Sequence, residues 1–316
     1  MDFQEFKADF QKEKVEEVKN KVSSKPLVSI CVQTYQHKKY IKKCLDSILE
    51  QKTNFDFEIL LGEDHSKDGT REICEDYAQR FPEKIRLFLH HRENQIKIMG
   101  EPTSNFNALY NFYSARGKYI AFCEGDDAWN DPLKLQKQVD YLESHSNYSF
   151  TYHSYKTIDN TGSYILSDEE KIQPKLDIKS HDLKTCEYHP LLLTICFRNE
   201  LRQIPAEMIN VINVDSFLIS LLGNLGEAKF LDKVEASLYR KHSGGIWSHR
   251  NKARKYLSKI MTYQKLMAYY NRIDEGLTAE FYRSKLQSTY KSMILLELKN
   301  VKPINAIKYL SRLRSL

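Results

Sequence analysis

Residues 27–70 read LVSICVQTYQHKKYIKKCLDSILEQKTNFDFEILLGEDHSKDGT. LVSICVQTY is a β-rich apolar run, KYIKKCLDSILEQ an amphipathic helix, and FEILLGED a second strand ending in carboxylates. Two such strands joined by a helix form a βαβ unit. The pattern repeats outward. GTREICEDYAQRF is a second helix, IRLFLHH a third strand, residues 104–114 a helix, and GKYIAFCEGDD a fourth strand. Alternation at these lengths predicts an α/β fold: a Rossmann-like, mostly parallel central sheet with helices on both faces. Polar residues follow the carboxyl ends of the strands: Thr34 and Tyr35, 63–68, and 124–127. In an open α/β sheet that edge binds ligands.

Upstream, residues 2–22 have helix-forming composition, with Phe3, Phe6, Phe10, Val15 and Val18 at helical spacing before Ser23, Ser24 and Pro26 break the pattern. Downstream of about residue 150 the alternation weakens. Residues 157–184 read as a loop or hairpin, LLLTICF as a strand, 215–222 as a helix, and AKFLD and ASLYR as short strands before the glycine pair of HSGGIWS. From about Lys252 the chain is helical, with a break at Pro303 before the basic segment AIKYLSRLRSL. The expected organisation is therefore an amphipathic helix over 1–25, an alternating α/β segment over 26–150, a less regular segment over 151–249, and a basic helical extension over 250–316.

A chain of 316 residues, 41% hydrophobic and 28% charged, has enough apolar surface for a sizeable core and is neither disordered nor collagen-like. Its longest apolar stretches, such as 191–197 and 293–296, fall well short of the roughly 20 residues a bilayer span requires. The densely charged N-terminus offers no apolar h-region, so a cytoplasmic protein is expected. The six cysteines form no CxxC pair and read as buried free thiols in a reducing compartment.

Charge is distributed unevenly. The net charge is +6, but residues 250–316 hold 15 Lys/Arg against 4 Asp/Glu, or +11, leaving −5 for residues 1–249. Such a segment suits an anionic surface, either phospholipid headgroups or nucleic acid; the plain alternative is a solvated helical face.

Three acidic groups carry chemistry. In the segment from Glu63 to Thr70, the residues Ser66, Asp68 and Thr70 read as turn and N-cap chemistry, while Glu63 and Asp64 at the strand end are placed to accept hydrogen bonds from a base or ribose. Glu124, Asp126 and Asp127 lie within four residues, a repulsive arrangement unless a cation sits among them. They suit a hard divalent ion that bridges to phosphates, or else a turn before a helix capped by Asp131. Asp215 opens an apolar helix, where an Asp is ordinarily a cap, and residues 239–248 combine Arg240, Lys241 and His242 with Gly244 and Gly245. Those cations suit a diphosphate.

Together these segments resemble family two of the inverting nucleotide-sugar glycosyltransferases, with the A-type fold. VSICVQTYQHKKYIKKCLDSILEQ resembles the family's opening strand, Thr-Tyr-Asn turn and first helix. EILLGEDHSKDGT is similar to its Asp-Asp-Gly-Ser-Thr-Asp-Gly-Thr segment, and GKYIAFCEGDDAWNDPLKLQKQ to its Asp-x-Asp region. YRKHSGGIWS resembles the closing segment of a bacterial, glycan-assembly branch. The likeness covers roughly residues 26–250 and implies a nucleotide-sugar-binding subdomain over 26–150 and an acceptor-binding catalytic subdomain over 151–249. It implies that Thr34 and Tyr35 line the nucleotide pocket, that Asp64 receives the base, and that Glu124 lies near the ribose. It also implies that Asp126, or Asp127 in the other register, binds Mg²⁺ or Mn²⁺ with His242. Asp215 matches the general base, and Lys241 or Arg240 would assist the departing diphosphate. Gln36 stands where the family usually has Asn, Glu63 and Glu124 where it has Asp, and His65 where it has Gly.

The implied reaction is single-displacement transfer of a hexosyl or N-acetylhexosaminyl group from a nucleoside-diphosphate sugar, UDP being the expected nucleotide. The implied acceptor is a glycan or lipid-linked saccharide, in polysaccharide biosynthesis, with the basic extension docking peripherally at the inner membrane face. Two other readings compete. A nucleotidyltransferase shares the sheet and acidic site, but QTYQHKKY has no glycine for a phosphate loop. A nucleic-acid-binding protein would stack bases on Tyr256, Tyr263, Tyr269, Tyr270, Tyr282, Tyr290 and Tyr309, interleaved with the C-terminal cations. Under the transferase reading no nucleic acid is expected.

Overall fold

The computed structural model describes residues 1–201, 203–245 and 251–316. Its first half runs α1 (Phe3–Phe10), β1 (Glu16–Glu17), β2 (Val28–Thr34), α2 (Ile41–Leu49), β3 (Phe57–Glu63), α3 (Thr70–Arg80) and β4 (Ile85–Leu89). A small hairpin, β5 (Lys97–Ile98) and β6 (Glu101–Pro102), leads into α4 (Asn105–Ser114) and β7 (Tyr119–Phe122). Next come α5 (Lys134–Ser144), β8 (Tyr148–Tyr152), β9 (Tyr155–Ile158), the short α6 (Asp168–Lys171) and α7 (Ser180–Lys184), and β10 (Cys196–Arg198). α8 (Ala206–Ile209), α9 (Val214–Leu222), β11 (Glu227–Phe230) and β12 (Ser237–Arg240) precede three C-terminal helices, α10 (Lys252–Arg272), α11 (Gly276–Lys299) and α12 (Pro303–Arg314).

Eight strands form one sheet in the order β1-β4-β3-β2-β7-β10-β8-β11. β4, β3, β2 and β7 are parallel, as the alternation requires. β10 runs antiparallel between β7 and β8, and β11 is parallel to β8. β9 and β12 form a separate parallel pair. Every residue of β2 and β3 is buried, because helices cover both faces of the sheet. Val28, Ile30 and Val32 point into one apolar layer with Ile41, Leu45 and Ile48 of α2. Cys31 joins the other, with Phe106 and Leu109 of α4 and Phe217 of α9. From β2 the chain steps outward to β3 and β4, then returns to the opposite side of β2 at β7. The carboxyl ends of β2 and β7 therefore flank a topological switch point, where such sheets bind ligands.

The helix expected over residues 2–22 ends at Phe10. Asp2 caps it through the amides of Gln4 and Glu5, and Glu5 answers on the Asp2 amide at 2.7 Å. Beyond it, the Asn94 side chain accepts the amides of Lys12 (2.8 Å) and Glu13 (2.7 Å), and Glu16 and Glu17 pair with β4 as an edge strand. Glu17 also receives Arg86 Nε at 2.9 Å. These long-range partners outcompete helix propagation, which local composition alone favours. The stretch expected as a loop or hairpin over 157–184 holds β9's end, α6 and α7 besides the isolated Ile158–Tyr164 bridge. LLLTICF is a 3₁₀ turn at Leu192–Thr194 followed by β10.

The basic extension does not hang free. Tyr270 and Tyr282 reach into the core beside α9, where Ser220 Oγ lies 2.8 Å from the Tyr270 hydroxyl and Tyr282 donates to the Lys184 carbonyl at 2.6 Å. Of the seven tyrosines available for base stacking, Tyr270, Tyr282 and Tyr290 are fully buried and the rest are half-buried. Tyr263, Tyr269, Tyr270, Tyr282, Tyr290 and Tyr309 pack in or against apolar clusters, which weakens the stacking surface that the nucleic-acid reading needs. The cysteines are all free, with Cys186 alone half-buried and the others buried.

Candidate active site

Register brings the motif ends side by side. Thr34 pairs with Glu63 across β2 and β3, Asp64 donates its amide to the Thr34 carbonyl (3.1 Å), and Gly125 donates to the Gln33 carbonyl (2.9 Å). Gly125 has to be glycine on packing grounds: a Cβ there would meet Thr34 Cβ at 2.7 Å and His37 Nδ1 at 2.9 Å.

At one end of the cleft, Tyr35 is exposed beneath the Arg92 guanidinium, 4.0 Å from the ring centroid. Arg92 also donates to Asp64 at 2.8 Å, and Gln95 donates to the same oxygen at 3.2 Å. Burial nevertheless pushes Asp64 up to about 6, against the lowering effect of Arg92. Glu63, expected to share the base-binding role, is consumed internally: it is fully buried, accepts the Ser66 amide at 2.7 Å and pairs with Arg71. Asp68, one residue before the Gly69 N-cap of α3, accepts the Thr70 amide (3.0 Å) and hydroxyl (2.6 Å), in keeping with its expected turn chemistry. Gln36 and His65 both adopt left-handed backbone, at φ 56° and 60°, a region that favours Asn and Gly.

At the switch point, Asp126 lies beneath two imidazoles. His242 Nε2 is 2.9 Å from Asp126 Oδ2, and His37 Nε2 is 3.9 Å from the same atom. Tyr40 closes the group, its ring centroid 5.0 Å from that of His242. Burial opposes the Asp126 charge, but His37 and His242 outweigh it and hold the carboxyl below the usual range. Asp127 is buried; its Oδ1 accepts the Arg240 amide at 2.7 Å and its Oδ2 has no partner. Burial, then Asp126 and Glu124, push Asp127 well above the ordinary carboxylate range. Glu124 opens to solvent on one side, yet the surrounding protein, then the charges of Asp126 and Asp215, raise it to about 8.

One ligand atom from each of Glu124, Asp126 and Asp127 lies within 4.8 Å of the others, as do atoms of His37, Asp126 and His242. An orphaned buried carboxylate oxygen beside carboxylates that cannot all ionise comfortably fits a divalent cation, whose charge would satisfy both demands.

Asp215, in the first turn of α9, accepts its neighbour's Ser216 amide at 2.8 Å and lies 3.5 Å from His189 Nε2, which is also 3.0 Å from Ser216 Oγ. Lys241 is turned to another task, donating to Glu169 at 2.7 Å. Arg240 is equally committed, to the carbonyls of Asp126 (2.9 Å) and Asp159 (2.7 Å). Ile246, Trp247 and Ser248 of the closing segment lie outside the described residues. His37, Tyr40, Arg92, Gln95 and His189 escaped the sequence reading. The one available signal was a histidine in the loop directly after the first strand.

The sequence profile described as glycosyl transferase family 2 matches residues 29–197. The uncharacterized protein Rv1520 of Mycobacterium tuberculosis is 33% identical over 222 residues, 70% of this chain and 60% of its own. The uncharacterized glycosyltransferase EpsJ of Bacillus subtilis is 36% identical over 104 residues, 32% of this chain and 26% of its own. The crystal structure of Staphylococcus aureus TarS 1–349 in complex with UDP superimposes with a TM-score of 0.53 at 15% identity, covering 88% of each chain. This is a likeness of fold. The chain spans 60% of the length of its mycobacterial relative.

Proposed function

The chain belongs to glycosyl transferase family 2, and on that premise we propose that it moves a hexosyl or N-acetylhexosaminyl group from a nucleoside-diphosphate sugar to a hydroxyl of a glycan or lipid-linked acceptor, with inversion. Residues 26–150 form the donor half and 151–249 the acceptor half. UDP is the nucleotide we favour; TarS, of similar fold, has been crystallised with UDP and with UDP-GlcNAc.

The observation that carries this reading is convergence. Asp64 follows β3, and Glu124, Asp126 and Asp127 follow β7, the two strands that flank β2 at the switch point, and Asp215 is near enough for its charge to raise Glu124. Asp64 accepts the base and Tyr35 flanks it, while Thr34, whose buried hydroxyl has no partner, offers a donor to the nucleotide. Asp126, with His242 and the free oxygen of Asp127, would hold Mg²⁺ or Mn²⁺, which would supply Lewis-acid neutralisation of the diphosphate. Asp215 takes the proton of the acceptor hydroxyl as that oxygen bonds to the anomeric carbon from the face opposite the nucleotide. The bond from the anomeric carbon to the diphosphate oxygen breaks, and its electrons leave with the nucleotide. His189, 3.5 Å from Asp215, orients the base. Lys241, tied to Glu169, reaches the donor only by exchanging that partner.

No helix among the described residues is long and apolar enough to cross a membrane. We read the basic helices as a peripheral attachment to anionic lipid at the cytoplasmic face, where a lipid-linked acceptor would be met. This is supported by the +11 charge of residues 250–316.

The test is a panel of UDP-, GDP- and dTDP-sugars with and without Mn²⁺, read by thermal shift and by sugar release. One donor should raise the Tm in a metal-dependent manner. Asp215→Asn should keep that shift while transfer or hydrolysis falls by roughly 10²–10⁴-fold, the usual weight of a general base. If no nucleoside-diphosphate sugar stabilises the protein, the assignment fails.

A further inference from the structure

The acidic loop at the switch point is the place where the geometry asks for something the family likeness did not supply. Three side chains from three separate segments aim at one point: Asp126 after β7, His242 after β12, and His37 in the loop between β2 and α2. The two ring nitrogens stand 2.9 and 3.9 Å from a single oxygen, Asp126 Oδ2, and the two imidazoles meet edge to face with centroids 5.8 Å apart. A gap of 3.9 Å is too long for a hydrogen bond, so His37 is not there to hold Asp126 by one. These separations bracket the roughly 3.4 Å between two donors each about 2.1 Å from a common tetrahedral ion.

His37 is also held in place independently of Asp126. Its carbonyl accepts the amides of Tyr40 (2.8 Å) and Ile41 (2.9 Å), fixing it at the entry to α2, and its ring lies against the glycine of the acidic loop. Its Nδ1 is buried without a partner. In the same acidic loop the buried Asp127 keeps one oxygen unpaired, a sign that the corner around Asp126 expects a charged occupant.

We infer that His37 is a further metal ligand, so that two imidazoles, those of His37 and His242, share the ion with the Asp126 carboxylate, and the site selects a first-row transition ion over Mg²⁺ or Ca²⁺. The inference rests on the metal-assisted reading of the function above. Nitrogen donors favour borderline ions, whereas Mg²⁺ and Ca²⁺ seek oxygen ligands, so a second imidazole shifts the preference of an otherwise carboxylate-rich corner.

The full chain, titrated with Mn²⁺ alone and with Mg²⁺ alone by calorimetry, should bind Mn²⁺ at least tenfold more tightly. Electron spin-echo spectroscopy of the Mn²⁺ form should report nitrogen couplings from two imidazoles. His37→Gln should leave one, weaken Mn²⁺ binding about tenfold, and leave Mg²⁺ binding unchanged. The wild-type spectrum requires no variant to fold, so it decides the matter alone if His37→Gln is unstable. Mn²⁺ bound with one imidazole coupling or none, or equal affinity for Mg²⁺, overturns His37 as ligand while leaving sugar transfer standing. Failure to bind Mn²⁺ even with UDP present overturns both this inference and the metal-assisted mechanism.

Discussion

Under the proposed function Asp64 receives the donor's base, and its environment would give that step a pH dependence. Burial raises its carboxyl to about 6, with Arg92 pulling the other way. The ionised form is the stronger acceptor for an N–H from a base, so nucleotide affinity should fall as pH drops through about 6. Replacing Arg92 by Gln removes the opposing charge and should move that decline to higher pH; the midpoint of nucleotide Kd against pH measures it. His90 offers a separate test through stability. Its ring sits edge-on to Phe106 and Tyr110 with neither nitrogen hydrogen-bonded, and burial, then Arg71, lowers its pKa to about 3. The unfolded chain protonates near 6.5, so between about pH 6.5 and 3 the unfolded state binds the extra proton. Stability therefore falls as pH falls across that window, by at most about 1.4 kcal/mol per pH unit from this group. His90→Phe should flatten that slope, read as urea midpoints at pH 7.5 and 5. None of these partners was visible in the sequence. Arg92 and Gln95 reach Asp64 across about thirty residues, and nothing local in HHRENQ announces it. Glu63 beside Asp64 looked equally available, and only the Arg71 contact shows it is spent.

At the scale of elements, the strands β2, β3, β4 and β7 and the helices α2, α3 and α4 were legible because each carries its own periodicity, and burial on both faces made the strands read as continuous apolar runs, whereas the short β5–β6 hairpin was not read. What escaped depends on distant partners. Residues 11–22 have helical composition, but the Asn94 amide cap and the Glu17–Arg86 pair draw them onto the sheet edge. The cleft's second wall was half legible: Asp126, Asp127 and His242 were found as motifs, whereas His37 and His189 acquire meaning only through loops folded against one another. The loop joining β7 to α5 is itself an element with a testable tolerance. A methyl group on Gly125 would stand 2.7 Å from both Thr34 Cβ and Thr34 Oγ1, in a side chain that is 2% exposed and has no room to retreat. Gly125→Ala should therefore lift the acidic loop from β2. We expect metal-dependent nucleotide binding to weaken at least tenfold while the Tm drops by only a few degrees, since overpacking one rim contact costs about 1–3 kcal/mol. Calorimetric titration of UDP with Mn²⁺ checks the first and a melting curve the second.

Across the whole molecule, charge and apolar exposure segregate. The catalytic body is acidic. The C-terminal helices carry the surplus of cations and also a run of exposed large aliphatic side chains: Leu295 and Leu298 near the end of α11, Val301 in the turn, and Ile304, Ile307 and Leu310 on α12. The opposite face of α12 is occupied, with Ala306 buried and Tyr309 and Leu313 packed on Ile260, Leu286 and Tyr290. The outward face is thus apolar without being part of the core, and Lys299, Lys302, Lys308, Arg312 and Arg314 lie along it in sequence. Apolar residues interleaved with cations on a short helix suit the headgroup boundary of an anionic bilayer, where each cation contributes about 1 kcal/mol and the aliphatic side chains leave water. The protein should float with vesicles containing anionic phospholipid, bind zwitterionic vesicles far less, and release as salt rises, because the Debye length shrinks to about 3 Å at 1 M. Ile304→Asp combined with Ile307→Asp should reduce flotation at least several-fold without lowering the Tm, since both side chains are exposed in the fold. Flotation that ignores lipid charge and survives the double substitution would remove the membrane from this account, and self-association of the wild type that the same substitutions abolish would assign the face to a second copy of the chain instead.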